Sequence, residues 1–425
     1  MTGPRRTDRL FGMHAVRLLF LVSILSGFGP ATVLADPFDD LARDVWAWRA
    51  ATQPSSGDDI PRIDRPANWL PDWSPAAVAA RRTALADFAR RHQAIATSSW
   101  PVARQVDHRL IGSLLARVRW ELDGAPAWRR DPAFFIQQAL GPVFDVLLPQ
   151  MAIFPDAAAQ VRTSAAQARD IRTFLDREGL LTVPPWLGHY LNLLLPPYIA
   201  PIAFLGVTDD LTGPSRLSDN GYSYIRAPRP DLPYFYLSTA RDPRPIIVHE
   251  GVPGHYMQLA LSWAHENPIR RHYDDSGANE GLGFYAEEMM LQAGLWHDSP
   301  RSREIIYNFA RLRALRVEVD VKLATGLFTI PQAAEYLEKT VPMDAATALE
   351  EAASFAAGPG QAITYQSGKL QVTSLLADAR RAQGAAFSLR AFHDYLWKNG
   401  NVPLALLRWE LLGDRRDVDR LATLK

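Results

Sequence analysis

Two histidines six positions apart, His249 and His255, stand in the stretch IIVHEGVPGHYMQLAL, with Glu250 beside the first. Imidazoles and carboxylates are the ligands of catalytic zinc, and a neighbouring carboxylate can serve as general base on an attacking water. In the familiar peptidase spacing H-E-x-x-H, four residues turn a helix by about 400°, so both rings face one metal. A step of six turns it by about 600° and leaves the rings some 120° apart. Shared zinc binding therefore requires a local break in the helix. Pro253 and Gly254 supply a cause for one, since Pro removes a backbone donor and clashes with the preceding turn, while Gly tolerates the resulting dihedrals. The alternative reading of the segment is a helix start in which His249 and Glu250 only cap and solvate.

A third ligand has to come from elsewhere in the chain. In NEGLGFYAEEMML, Glu280, Phe284 and Glu287 fall on one helical face at steps of four and three. Two histidines leave room for one carboxylate and an open position. Glu280 is preferred here; Glu287 is the alternative ligand, or else an acceptor that orients an imidazole. The plain alternative makes both of them solvated acids, against the apolar company of Tyr285 and Met289.

The elements that must carry these residues are mainly helical. Helical spacing or capping marks residues 36–53, 76–122, 132–151, 157–181, 248–263, 280–295, 301–326, 330–339, 344–356, 361–383 and 389–397. The Pro-punctuated stretch TVPPWLGHYLNLLLPPYIAPIAFLGV reads as buried connecting structure. Between Gly221 and Ser238, GYSYIRAPRPDLPYFYLS alternates tyrosines with other residues and is broken by Pro, which suits a small β hairpin at a sheet edge near the site. The expected fold is thus mainly α with a small β element, in one domain spanning 36–425 with an N-terminal helical half (36–220) and a motif-bearing half (221–425).

Composition narrows the chemistry. The 425 residues include no cysteine, and 46 Lys and Arg balance 46 Asp and Glu. That removes disulfides, thiolate nucleophiles, iron–sulfur clusters and cysteine-ligated zinc, so a metal site would need His and carboxylates. Zero net charge gives no general attraction for nucleic acid or anionic lipid, and neither is expected as a partner. Residues 1–35 read as a secretory signal peptide: Arg5, Arg6, Arg9 and Arg17, an apolar run from Leu18 to Phe28, then Val33 and Ala35 before Asp36. The run is short against the roughly 20 apolar residues of a membrane span. A periplasmic or secreted protein with no membrane association after cleavage is expected, with 42 basic and 45 acidic residues remaining.

HEGVPGHYMQ, NEGLGFYAEE, GPGQAITYQSGKLQ and FHDYLWKNGNVPLALL, in this order and spacing, resemble the bacterial family known as domain of unknown function 885. The resemblance is most specific from about Tyr222 to Leu407. That family looks like a zincin-type metallopeptidase group, distantly similar to helical gluzincins such as angiotensin-converting enzyme and thermostable carboxypeptidases. The resemblance implies a zincin-like helical architecture, zinc held by His249, His255 and Glu280, and Glu250 as the acid between the histidines. It also sets Tyr285 and Glu287 in one motif, and Pro359, Gly360, Gln361 and Tyr365 in another. Members tend to carry a His shortly after the pattern that here reads RLRALRVEVDVKLATG, where this chain has Ala324; substrate range or efficiency depends on that difference if the His contacts substrate.

On this reading Glu250 is the general base, and Tyr365 donates its hydroxyl to a developing oxyanion. The plain alternative for Tyr365 is a core aromatic that uses its hydroxyl locally. Tyr222, Tyr224, Tyr234 and Tyr236 are candidates to bind an extended peptide by strand addition. Gln361 is a further candidate for substrate binding, and Arg311, Arg313, Arg316 and Lys369 for a terminal carboxylate, although Arg316 and Asp320 at i, i+4 can simply pair with each other. His393 reads as structural. The expected function is an exported zinc-dependent peptidase for short peptides, carboxypeptidase-like or oligopeptidase-like. An amidase for a non-peptide or modified amide is the second reading, and a catalytically silent binding protein on the same fold is the third.

Overall fold

Seven of the described helices start where a short polar side chain accepts a hydrogen bond from an exposed backbone N–H. The computed structural model describes residues 36–423 apart from 55–64, 67–68, 141–157, 195–206, 210–216, 218, 226 and 342. The signal peptide read in residues 1–35 and part of the helix read in 132–151 lie outside the described residues.

In the N-terminal part, α1 (Pro37–Thr52), α2 (Pro75–Gln93), α3 (Val102–Arg119) and α4 (Ala158–Arg177) pack around buried Phe38, Leu110, Ile111 and Leu175. The stretch read as helical over 76–122 is divided at 94–101. Pro101, with extended dihedrals, sits at the start of α3, where its missing N–H costs no helical bond.

The β element differs from the expectation in two ways. Its three strands, β1 (Tyr190–Leu194), β2 (Val207–Asp209) and β3 (Gly221–Ile225), stand in the order β1-β3-β2. β3 is parallel to β1, with Tyr190 opposite Gly221, and antiparallel to β2, with Val207 opposite Tyr224. It is the central strand, so both its edges are taken and no peptide can add to it. The apolar stretch read as connecting structure supplies β1, buried at four of its five positions, as suits a strand in a parallel pairing. The second half of the Tyr-rich stretch is not a strand at all. Pro233 opens a helix, α5 (Tyr234–Arg241); its ring fits the first turn, where no donor is needed.

The rest is helical: α6 (His255–Trp263), α7 (Pro268–His272), α8 (Ser276–Ala293), α9 (Pro300–Ala324), α10 (Ile330–Thr340), α11 (Ala345–Ala357), α12 (Gln361–Gln383), α13 (Leu389–Lys398), α14 (Leu404–Leu412) and α15 (Arg416–Thr423). Asp275 caps α8 by accepting from Ala278 N–H, so this helix begins a turn before Glu280. Ser299, Thr329, Asp344 and Ser388 cap α9, α10, α11 and α13, with Thr329 and Gln332 forming a reciprocal capping box. A second, smaller core joins α9, α10 and α11 through Leu312, Leu337 and Phe355.

Two contacts fix the helices that carry the motifs. α8 and α12 cross where Gly281 meets Gly368: a Cβ on Gly281 would lie 2.6 Å from the Gly368 Cα, so any side chain there would push the helices apart. The carboxylate of Asp320 on α9 accepts the Gly360 N–H at 2.9 and 3.0 Å. That tie holds the start of α12, and with it Tyr365, against α9.

Candidate metal centre

The required break between the two histidines is present. Residues Ile247–Gly251 form a single wide turn, closed by the Val252 N–H on the Ile247 carbonyl at 3.0 Å. Val252 is extended, the Val252–Pro253 bond is cis, and a new helix starts at His255. The backbone folds back tightly here: a Cβ on Gly254 would lie 1.7 Å from the His249 carbonyl oxygen, which excludes every residue but glycine. Trp397 donates its indole N–H to the Pro253 carbonyl at 2.5 Å and pins the turn. His249 and His255 thus belong to different helical segments, and their rings meet 4.8 Å apart at 84°.

Glu280 closes the cluster. Its Oε2 lies 3.4 Å from His255 Nε2 and 3.8 Å from His249 Nε2. Atoms bound at about 2.0–2.1 Å to a tetrahedral zinc stand roughly 3.3 Å from one another. The same oxygen is buried and makes no hydrogen bond, a state that costs free energy unless something binds there. Burial pushes the Glu280 carboxyl up, but His255, His249 and the Tyr365 hydroxyl outweigh it and hold it at about 2. Gly283 lies behind both rings; a Cβ on it would come within 2.9 Å of His255 Cε1 and 3.1 Å of His249 Cε1. Two imidazoles, a carboxylate oxygen without a hydrogen bond and a floor cleared by glycine together fit zinc.

Glu287 does a different job from Glu280. It is 2% exposed, and its Oε1 lies 2.6 Å from His249 Nδ1. Arg313 grips its two oxygens at 2.7 and 3.0 Å. The Arg313 guanidinium also approaches Nδ1, at 3.3 Å, but an ionised carboxylate only accepts, so at 2.6 Å Nδ1 is the donor to Glu287 and the lone pair stands on Nε2. Burial raises the Glu287 carboxyl, and Arg313 with His249 more than reverses it. Of the two roles open from sequence, this geometry fits the orienting acceptor.

Glu250 Oε1 stands 3.9 Å from His249 Nε2, and both residues line a cavity of about 430 Å³. Among the described residues, His249, Glu250 and His255 also form a group whose ligand atoms lie within 4.8 Å of one another. Glu280 fits a third-ligand position better, since its oxygen is buried and close to both Nε2 atoms, whereas Glu250 is half-exposed on the cavity side. Tyr365 faces Glu280, and burial keeps its hydroxyl protonated far above the usual range.

Other expectations are corrected. Ser223 and Ile225 of β3 line the cavity, so Tyr222, one position before Ser223 in the pleat, points to the opposite face. Tyr234 opens α5, and its side chain lies outside what is described. Tyr236 does line the cavity. Arg316 lines it too, but bonds Glu351 in a two-pronged pair at 2.8 and 2.7 Å and not Asp320, whose carboxylate is taken by Gly360. Lys369 pairs with Glu288 and Arg313 with Glu287, while Arg311 is exposed. Gln361 is the first residue of α12 and is half-buried. His393 is structural: Nδ1 meets the Leu180 carbonyl at 2.7 Å and Nε2 the Tyr285 hydroxyl at 2.8 Å. Sequence reasoning missed the far wall, Met343, Thr347, Glu350, Glu351 and Ser354. It comes from α11, whose Ala-rich pattern carries no motif, and from Met343 just before it.

The family described as bacterial protein of unknown function (DUF885) matches residues 195–411, which hold every residue of the cluster. The chain belongs to this family. No curated protein matches it. Among solved structures, a candidate lipoprotein of unknown function from Shewanella oneidensis shares the fold, with a TM-score of 0.61 at 14% identity, over 88% of this chain and 98% of that one. A candidate lipoprotein from Colwellia psychrerythraea gives a TM-score of 0.49 at 18% identity over 79% of this chain, which spans 66% of that protein's length. Among the described residues no helix is long and apolar enough to cross a membrane.

Proposed function

We propose that this DUF885 member is an exported zinc-dependent hydrolase of zincin-like type that cleaves amide bonds, most directly those of short peptides. The observation that carries the reading is the Glu280 oxygen, buried, without a hydrogen bond, and within 3.8 Å of two imidazole Nε2 atoms. His249, His255 and Glu280 would hold the ion. When bound, zinc supplies Lewis-acid activation of water and of a scissile carbonyl. Glu250, beside the cluster and open to the cavity, accepts the proton of the attacking water and returns it to the leaving nitrogen. Tyr365 keeps its proton and donates a hydrogen bond to the oxygen that gains charge. Glu287 and Arg313 keep His249 in the tautomer that presents Nε2. The description of the Shewanella protein as a candidate lipoprotein and the Arg-rich, apolar first 35 residues fit export to the periplasm or medium.

The reading is tested by digesting a peptide library with zinc-loaded protein and identifying products by mass spectrometry. Cleavage that falls about 10²–10⁴-fold in Glu250→Gln, the usual contribution of a general base, is expected. If zinc-loaded protein cuts no peptide but hydrolyses other amides, the amidase reading replaces it; if it cuts neither, the hydrolase reading is wrong.

A further inference from the structure

The charges that line the cavity beside the metal cluster pair off almost completely. Glu287 takes Arg313, Glu351 takes Arg316, and Glu250 is the proton acceptor of the proposed reaction. Glu350 is left over. Its Oε2 is buried without a hydrogen bond, and no described residue forms a salt bridge with it. Tyr236 lines the same wall, and its hydroxyl is also buried, near Thr347 but without hydrogen-bond geometry to it. Burial, with Glu351 and Asp344 adding to it, raises the Glu350 carboxyl above the usual range, as befits an acid short of a counter-charge. Burial likewise pushes the Tyr236 hydroxyl up to about 12. An acceptor-only carboxylate beside a phenol oxygen suits a group that only donates, and an ammonium carries three donors and no acceptor.

We infer that Glu350, assisted by Tyr236, is the specificity-determining group of this cavity and selects substrates that carry an ammonium, either a free peptide amino terminus or a lysine-like side chain. The inference rests on the cavity being the substrate site of the hydrolase proposed above. Substrates with a negative group at that position are disfavoured, because Glu351 and Asp344 add to the field of Glu350.

Binding tests this independently of cleavage. Glu250→Gln protein is titrated calorimetrically with three probes: a trialanine amide with a free amino terminus, its N-acetyl form, and an N-acetyl peptide of the same length with one lysine. The free amine, the lysine peptide or both should bind about tenfold to a hundredfold more tightly than the neutral acetylated probe, the usual worth of a hydrogen bond to a charged group. Whichever gains identifies the source of the ammonium. Adding Glu350→Gln should bring the probes to equal affinity, and Glu350→Asp, which keeps the charge, should retain part of the difference; unchanged thermal midpoints confirm that both variants fold. Equal affinities in the Glu250→Gln protein, no measurable binding of any probe, or a preference that survives Glu350→Gln would overturn the inference. Glu350-dependent binding without cleavage by the native protein sinks the hydrolase reading alone, and cleavage without an ammonium preference sinks this one alone.

Discussion

Two buried polar clusters in this chain use the same materials to opposite ends. Around Arg270, on α7, the guanidinium meets Asp107 at 2.9 Å, Glu410 at 2.8 Å and the Asn399 side-chain oxygen, and Asn267 donates to the second oxygen of Asp107 at 2.7 Å. Helices α3, α7 and α14 are stitched together, and the buried cation has an acceptor on every side. Around His249 the network stops short. Glu287 is held by Arg313 and His249, but among the described residues nothing bonds one buried oxygen of Glu280, one of Glu350 or the Arg313 Nε. A closed network spends its polar groups on holding helices together. An incomplete one, kept open by the stability of the surrounding fold, keeps capacity for a ligand.

That contrast can be broken at either end. The largest stability effect belongs to the closed cluster: Arg270→Ala strands two carboxylates and should cost about 3–5 kcal/mol, read as a lower urea midpoint. A loss under about 1 kcal/mol, the range of an exposed pair, would mean that the network is not the structural one. In the open cluster, Glu287→Gln replaces the anionic acceptor of His249 Nδ1 with a neutral amide and should weaken zinc binding roughly 10–100-fold, measured by competition with a chelator. Unchanged affinity would show that the orientation of His249 does not matter.

The smallest effect concerns acid. Asp242 accepts from the Arg244 side chain at 3.0 and 3.1 Å and from the Ser302 hydroxyl. Burial pushes its carboxyl up, and Arg244 with Ser302 more than reverses the shift, so its folded value lies below its unfolded one. Its contribution to stability is therefore fully present above about pH 4, near the unfolded value, and is lost as pH falls through the depressed folded value. Asp242→Asn should flatten the acid limb of a plot of urea midpoint against pH. An acid limb as steep as that of the native protein would remove Asp242 from this account.

The sequence carried the helices and the grouping of His249, Glu250, His255 and Glu280 further than it carried the cavity. Caps at Asp275, Ser299, Thr329, Asp344 and Ser388 are local chemistry, and a reader of the chain can see them. His249, Glu250, His255 and Glu280 were legible because their types and spacing are constrained by what a metal requires; even the broken helix followed from Pro253 and Gly254. What was not legible depends on tertiary contact. β1 reads as apolar filler until β3 lies beside it, and the tyrosines around Pro233 suit a strand or a helix equally well until the fold chooses. Arg316 has an acid four residues on, at Asp320, but bonds Glu351 from another helix. Glu350 sits in an Ala-rich helix where an acid suggests only solvent, and it stands out once Glu287 and Glu351 are seen to take the arginines of the cavity.

Zinc stoichiometry decides whether His249, His255 and Glu280 hold the ion. Protein dialysed against zinc and then against buffer is assayed by elemental analysis alongside His255→Ala and Glu280→Gln. About one zinc per chain in the native protein, lost or greatly reduced in both variants with the fold intact by circular dichroism, is the expected result for a closed set of three protein ligands. Native protein that retains no zinc, or variants that retain it fully, would contradict the account.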